Sequence, residues 1–279
     1  MIHLLFASDV PTLPAHIPSV NHTYQWIFTL GQIPPLLLMI GFAVKWCREE
    51  HRGTPLVVLA GGGLMLFFEP VVDRNGLCWF PTHGAWIAYT AYGIAQPVFL
   101  VLAYLWFFGG QTMVIWRLID RGMAAGRLWK AWAIVMLVDI ALEHPGLYMH
   151  LFLYYGHQPF AFTKFPLWWG FVNGTTPIVA AVAIHKLLPH LKGVAQAAIL
   201  AVPILADAVV NAGGGFPVWD TINTRLPAAV VWTAGAATFG LCAMLIWFCT
   251  MALSDRPAIP ATARDTPDGA SRRSLTPQS

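Results

Sequence analysis

Thr54-Pro-Leu-Val-Val-Leu-Ala-Gly-Gly-Gly-Leu-Met-Leu-Phe-Phe-Glu-Pro-Val-Val-Asp73 decides the class of this fold. Its first fifteen residues carry no charge, and about 20 apolar residues in a helix are enough to cross a hydrocarbon core of about 30 Å. Similar stretches recur along the chain, at 24–46, 86–108, 128–145, 166–187, 193–212 and 227–252. Between them they explain a composition that is 57% hydrophobic and only 10% charged, with a mean hydropathy of +0.60. Soluble domains carry roughly 25% charged residues. The reading is an all-α integral membrane protein of about seven transmembrane helices. A polytopic domain fills 1–254, and Gln111–Gly126 is an amphipathic stretch at the membrane surface. The proline-broken Ser/Thr/Arg/Asp mixture of 255–279 reads as a disordered cytoplasmic tail.

The positive charges sort by loop. Lys45, Arg48, Arg52, Arg117, Arg121, Arg127, Lys130, Lys186, Lys192, Arg256, Arg264, Arg272 and Arg273 fall on one side; Arg74, Lys164 and Arg225 fall on the other. Cytoplasmic loops are enriched in Lys and Arg, which places the N-terminus outside and the C-terminus in the cytoplasm of a multi-pass cell-membrane protein. The first 23 residues lack Lys and Arg and are broken by Pro11, Pro14 and Pro18, unlike a signal peptide. Cys47, Cys78, Cys242 and Cys249 have no metal-ligand spacing and are not expected to form a disulfide framework. Nucleic acid is excluded as a partner, since no basic stripe with interleaved aromatics exists. Pro34, Pro35, Pro97, Pro177 and Pro203 stand inside spans, where each removes a backbone donor and bends its helix.

Ionisable groups inside a bilayer are expensive and mark function by default. Glu69 and Asp73 close the second span, Asp139 and Glu143 lie in the fourth, and Asp207 lies in the sixth. Glu69/Asp73 and Asp139/Glu143 are spaced i, i+4, which puts both members of each pair on one helical face. At 1.5 Å per residue, Glu69, Glu143 and Asp207 sit roughly 21–23 Å from the cytoplasmic ends of their spans, with Asp139 one turn deeper. These five are the candidate catalytic acids. The outer segments around them supply aromatic and polar side chains for a substrate pocket: Trp79, His144, Tyr154, Trp169, Asn173, Asn211 and Trp219.

The chemistry these residues favour is acid–base. No metal motif is present, since Glu143-His144 lacks Glu-x-x-His spacing and no His-x-x-x-His box occurs. Gly61-Gly-Gly63 lies within a span, where it serves close helix packing rather than phosphate binding. No cofactor is expected. Burial in a low dielectric favours the neutral form of a carboxyl group, so a protonated acid beside an ionised one forms a general acid and a general base. Such a pair can protonate an alkene, epoxide, ketone or hydroxyl of a lipophilic molecule, while aromatic faces steady a cation. The partners expected are a lipophilic small-molecule substrate and membrane lipids. A proton-coupled transporter would also place acids in a bundle, but these acids occupy one side only and no inverted repeat is visible.

The segments Phe68-Glu69-Pro70-Val-Val-Asp73, Phe165-Pro166-Leu-Trp-Trp169, Phe216-Pro217-Val-Trp219 and Asn223-Thr-Arg-Leu-Pro227 resemble the avermectin spirocyclase (AveC-like) family, with motif order and hydropathy shared over about 25–250. The resemblance implies a membrane enzyme of natural-product biosynthesis that closes a spiroketal from a dihydroxy-ketone chain, sometimes with dehydration. Where that family often has Asp-Pro, this chain has Glu69-Pro70, a departure that keeps the acid but does not carry the family's substrate over with it. In size and span count the chain is also similar to the small membrane-bound cyclases of meroterpenoid pathways. Those open a terminal epoxide with one acid on an early helix and one on a late helix, as Glu69 and Asp207 would.

Overall fold

The structure, a computed structural model, describes residues 11–254; the tail expected at 255–279 lies outside the described residues. Helix α1 (His22–Gly31) is started by Asn21, whose side chain accepts from the Thr23 and Tyr24 amides at 2.9 and 3.2 Å and so satisfies donors that a helix N-terminus leaves open. Helix α2 (Ile33–Glu50) continues it as one span, His22–Glu50. The joint falls at Gln32, immediately before Pro34 and Pro35. The Gln32 amide bridges the joint, donating to the Phe28 carbonyl at 3.1 Å and accepting from the Trp106 indole at 2.9 Å.

Helix α3 (Thr54–Leu64), a 3-10 turn (Met65–Phe67) and α4 (Glu69–Gly76) form an apolar helix pair bent by 48° at the break. Pro70 causes the bend, because it has no N–H to offer the Leu66 carbonyl one turn back. That carbonyl accepts the Tyr89 hydroxyl instead. After α4, strand β1 (Cys78–Trp79) pairs antiparallel with β4 (Leu153–Tyr154), Cys78 opposite Tyr154.

The apolar run at 86–108 is not one helix. Strands β2 (Ile87–Ala91) and β3 (Ile94–Pro97) form a hairpin in register Ala91↔Ile94 and Tyr89↔Gln96. Tyr92 and Gly93 turn it with φ of 53° and 77°, the left-handed pair that a two-residue hairpin needs. Helix starts only at α5 (Val98–Tyr104), passes through a π-helical turn (Leu105–Gly110) and continues as α6 (Gln111–Asp120). The helix long and apolar enough to cross a membrane is therefore Val98–Asp120. Gln111–Asp120 is part of it rather than a surface helix, because its apolar side, with Met113, Ile115, Trp116 and Ile119 buried, packs on protein.

The remaining helices are α7 (Arg127–Tyr148), α8 (Leu167–Leu187), α9 (Val202–Val210) between a 3-10 segment (Gly193–Ala201) and a π-helical turn (Asn211–Gly215), α10 (Phe216–Ile222) and α11 (Ala228–Ser254). Six helices are long and apolar enough to cross a membrane, and the bent α3–α4 pair makes a seventh if it counts as one span. The architecture is consistent with an all-α multi-pass membrane protein carrying two small antiparallel ribbons.

Helix α8 is the most buried span and packs on α6, α7, α9 and α11. Beside it the backbones of α3 and the π-helical turn touch. A Cβ on Gly62 would come within 2.2 Å of the Gly109 nitrogen, and one on Gly109 within 2.3 Å of the Leu59 carbonyl oxygen. The Gly61–Gly63 run thus serves close packing, as small residues do between membrane helices. At one end of the bundle Arg117 pairs with Glu50 and, at 3.3 Å, with Asp120; His185 meets Asp120 at 2.5 Å and Arg121 meets Glu49 at 3.5 Å. This ties the ends of α2, α6 and α8 together.

Candidate active site

Toward the other end of the bundle, α4 and α7 face one another across a cavity of about 50 Å³, room for only a few waters. Helix α4 brings Glu69 and Asp73, α7 brings Asp139 and Glu143, and all four carboxyl groups line it. The i, i+4 spacing read from the sequence is what points both members of each pair inward. The Pro70 bend sets Glu69 at the first turn of α4, where the positive end of a helix favours an acid.

Each carboxyl group meets a neutral donor. The Gln96 amide, on β3, donates to Asp73 at 2.8 Å. Asn173, on α8, donates to Asp139 at 3.2 Å. The Tyr154 hydroxyl, on β4, donates to Glu143 at 3.0 Å. Glu69 interacts with the Tyr104 hydroxyl and with Asp73. Among the described residues, no Lys, Arg or His lines the cavity; the rest of its wall is mainly aromatic, including Phe80, Phe99, Phe152 and Trp169. Carboxyl groups that share an apolar site without cations do not all ionise together. Such a wall therefore suits proton exchange rather than ion-pair chemistry.

Side chains at the rim stay neutral. Burial first, and then the charge of Glu143, pushes the Tyr154 hydroxyl well above its ordinary range, so it remains a donor at neutral pH. Burial and the neighbouring Asp73 likewise push the Cys78 thiol well up, and since the thiolate is the nucleophile, Cys78 is a passive part of the wall. Tyr89 is pushed up to about 12, by burial and then by Glu69 and Asp73. The buried Trp169 indole N–H and the Gln96 carbonyl oxygen have no partner among the described residues. Buried polar atoms are seldom left open, and Trp169 belongs to the cavity wall.

Of the residues singled out from the sequence, Glu69, Asp73, Asp139, Glu143, Tyr154, Trp169 and Asn173 line this one cavity. Asp207 does not line it. It is buried on α9, accepting from Asn211 at 2.9 Å and from Thr176 at 3.4 Å, within electrostatic reach of Glu69 and Tyr104. His144 meets the Ile140 carbonyl at 2.7 Å and the Thr163 hydroxyl at 3.0 Å, away from the carboxyl groups. Trp79 and Trp219 are half-buried outside the lining. Tyr104 and Gln96 are cavity and partner residues that spacing did not single out; their only signal was a lone hydroxyl and a lone amide in apolar runs. Among the described residues, no three His, Cys, Asp or Glu side chains converge as metal ligands would. No protein-family model, no curated protein and no solved structure matches the chain.

Proposed function

We propose that this chain is a membrane cyclase or dehydratase that acts by cofactor-free acid–base catalysis on a lipophilic polyketide or isoprenoid intermediate of natural-product biosynthesis. It sits in the cell membrane with about seven spans, its N-terminus outside and its C-terminus in the cytoplasm, so that the cavity occupies the outer half of the bilayer. The observation that carries this reading is the convergence of four carboxyl groups, each with a neutral donor, in an aromatic-walled cavity with no Lys, Arg or His among the described residues.

The step follows from those groups. A protonated carboxyl gives its proton to a carbonyl, epoxide or hydroxyl oxygen of the substrate, and the C–O bond opens with its electron pair left on oxygen. An internal hydroxyl or alkene then bonds to the cationic carbon, whose charge the neighbouring rings steady. An ionised carboxyl across the cavity takes up the proton released, and proton exchange between the two restores the starting state. The product is an isomer if the oxygen is retained, or lighter by one water if it leaves. Glu69/Asp73 and Asp139/Glu143 face each other as the two walls for this exchange. The motif resemblance to the spirocyclase family supports a hydroxy-ketone substrate; epoxide opening on an isoprenoid is the variant that the same groups would serve.

A second reading, proton-coupled transport, is favoured by one observation. Asp207, outside the cavity but in electrostatic reach of Tyr104 and Glu69, extends the acidic groups beyond the pocket. One experiment separates the two. Lipid extracts of the source organism are compared by mass spectrometry after deletion of this gene and complementation with wild type, Glu69→Gln or Glu143→Gln. A metabolite lost on deletion, replaced by an isomer or a species differing by one water, and restored by wild type alone is expected. Unchanged profiles in all strains would refute the enzyme and favour transport.

A further inference from the structure

A second, larger pocket of about 440 Å³ lies directly over the carboxyl cavity, and Phe152 and Tyr154 belong to the walls of both. The two compartments have opposite character. Among the described residues, the lower one holds four carboxyl groups and no basic side chain, and the upper one holds Lys164, His150 and His157 and no acid. Lys164 is one of only three Lys or Arg residues assigned to that side of the membrane. Its ammonium group lies 5.0 Å over the Tyr148 ring, and no carboxylate pairs with it among the described residues. His150 ends the turn after α7 with φ of 56°, a left-handed conformation that glycine usually supplies at a helix end. An imidazole is kept there at a conformational cost.

We infer that the upper pocket binds the anionic head, a carboxylate or phosphate, of an amphiphilic substrate whose chain passes the Phe152/Tyr154 wall to reach the four carboxyl groups. The volume falls in the range of small-ligand sites. The charge inversion also fixes the direction of entry, since an anion would be repelled by the lower cavity and held by Lys164 above it. The lower cavity is too small for more than a few atoms while Tyr154 donates to Glu143 at 3.0 Å. Entry of the chain must therefore move the Tyr154 ring, and this bares Glu143 to the substrate as it arrives.

This inference rests on the acid–base reading for what happens below the wall, but its test needs no turnover. The full-length protein in phosphatidylcholine nanodiscs is titrated with hexadecanoate, hexadecyl phosphate and hexadecanol, and binding is followed by tryptophan fluorescence. At least one of the two anions is expected to bind ten times more tightly than the alcohol, and which one identifies the head group. Lys164→Met should remove the preference and leave hexadecanol binding unchanged, while Lys164→Arg should keep it. Glu69→Gln should also keep it, so failure of the acid–base chemistry leaves the binding result standing. Equal binding of alcohol and anions by the wild type would overturn the inference. So would a preference that survives Lys164→Met, or one abolished by phosphatidylglycerol in the disc, which would make the occupant a membrane lipid.

Discussion

Replacing Gly62 by alanine should loosen both the bundle and the site. A Cβ at position 62 would lie 2.2 Å from the Gly109 nitrogen, 2.3 Å from its Cα and 2.9 Å from the Tyr104 carbonyl oxygen. Ordinary contact begins near 3.4 Å, so the two backbones must part by about 1.2 Å, and no flexible side-chain tip is present to yield instead. Overpacking of this kind costs typically 1–3 kcal/mol, the upper end where backbone must move. The gain in helix propensity from Gly to Ala offsets about 1 kcal/mol of that. The net loss is about 2 kcal/mol, or a fall in Tm of roughly 4–8 °C for a chain of this size. Gly41, on α2, is the control, since a Cβ there meets nothing within 4 Å and alanine should be neutral or slightly stabilising. Thermal unfolding of both variants in detergent gives the comparison. Because the strained contact includes the Tyr104 backbone, Gly62→Ala should also lose conversion well below its Tm. A Gly62→Ala protein as stable as Gly41→Ala would refute the close approach of α3 to the π-helical turn, and with it the placement of Tyr104 against Glu69.

Glu69→Gln and Glu143→Gln should each lower conversion by about 10²–10⁴-fold, the range for removing a general acid or base, with the fold retained by circular dichroism. Tyr154→Phe deletes the hydroxyl that donates to Glu143 and should cost about 10–150-fold in rate, since a hydrogen bond to a charged group contributes about 1.5–3 kcal/mol. Asp207→Asn, which alters a carboxyl outside the cavity, should be at least 10-fold milder than Glu69→Gln at the same expression level; equal losses would move the catalytic centre toward α9. Cys78→Ala should leave conversion within about threefold. Its raised pKa keeps the thiol protonated through neutral pH, so thiol alkylation at pH 7–8 should be slow as well, and rapid alkylation with loss of activity would contradict that environment.

The parts of the fold legible in the sequence are those governed by length and spacing. Helices such as His22–Glu50 and Arg127–Tyr148 are long apolar runs whose length and hydropathy alone mark them as candidate spans. The two carboxyl pairs were legible because i, i+4 spacing on a helix leaves one face only. At 86–108 the same hydropathy misleads. Trp86-Ile-Ala-Tyr-Thr-Ala-Tyr-Gly-Ile-Ala-Gln-Pro97 is as apolar as a helix, but its aromatic and β-branched residues and its Tyr92-Gly93 turn make a hairpin, and the span moves twelve residues along the chain. That shift explains why Gln111–Asp120 looked amphipathic. Its polar residues suggest a helix at the membrane surface, whereas its apolar side packs against α8 within the bundle. The donors Gln96 and Tyr104 were not legible, because each acquires its meaning from a carboxyl group on another element.

Pro70 shows how one residue joins these levels. By withholding an N–H from the Leu66 carbonyl, it ends α3, turns α4 through 48° and starts a new helix at Glu69. The freed carbonyl is satisfied by Tyr89, a residue of the hairpin, and the same hairpin carries Gln96 to Asp73. The hairpin and the bend therefore depend on each other: without the bend Tyr89 loses its acceptor, and without the hairpin an unpaired carbonyl would sit in an apolar bundle at a cost of several kcal/mol. An uninterrupted helix over 54–76 would carry Glu69 and Asp73 on along the α3 axis instead of across the mouth of α7. The break is thus what turns two acidic residues near the end of a span into one wall of a cavity whose other wall is Asp139 and Glu143.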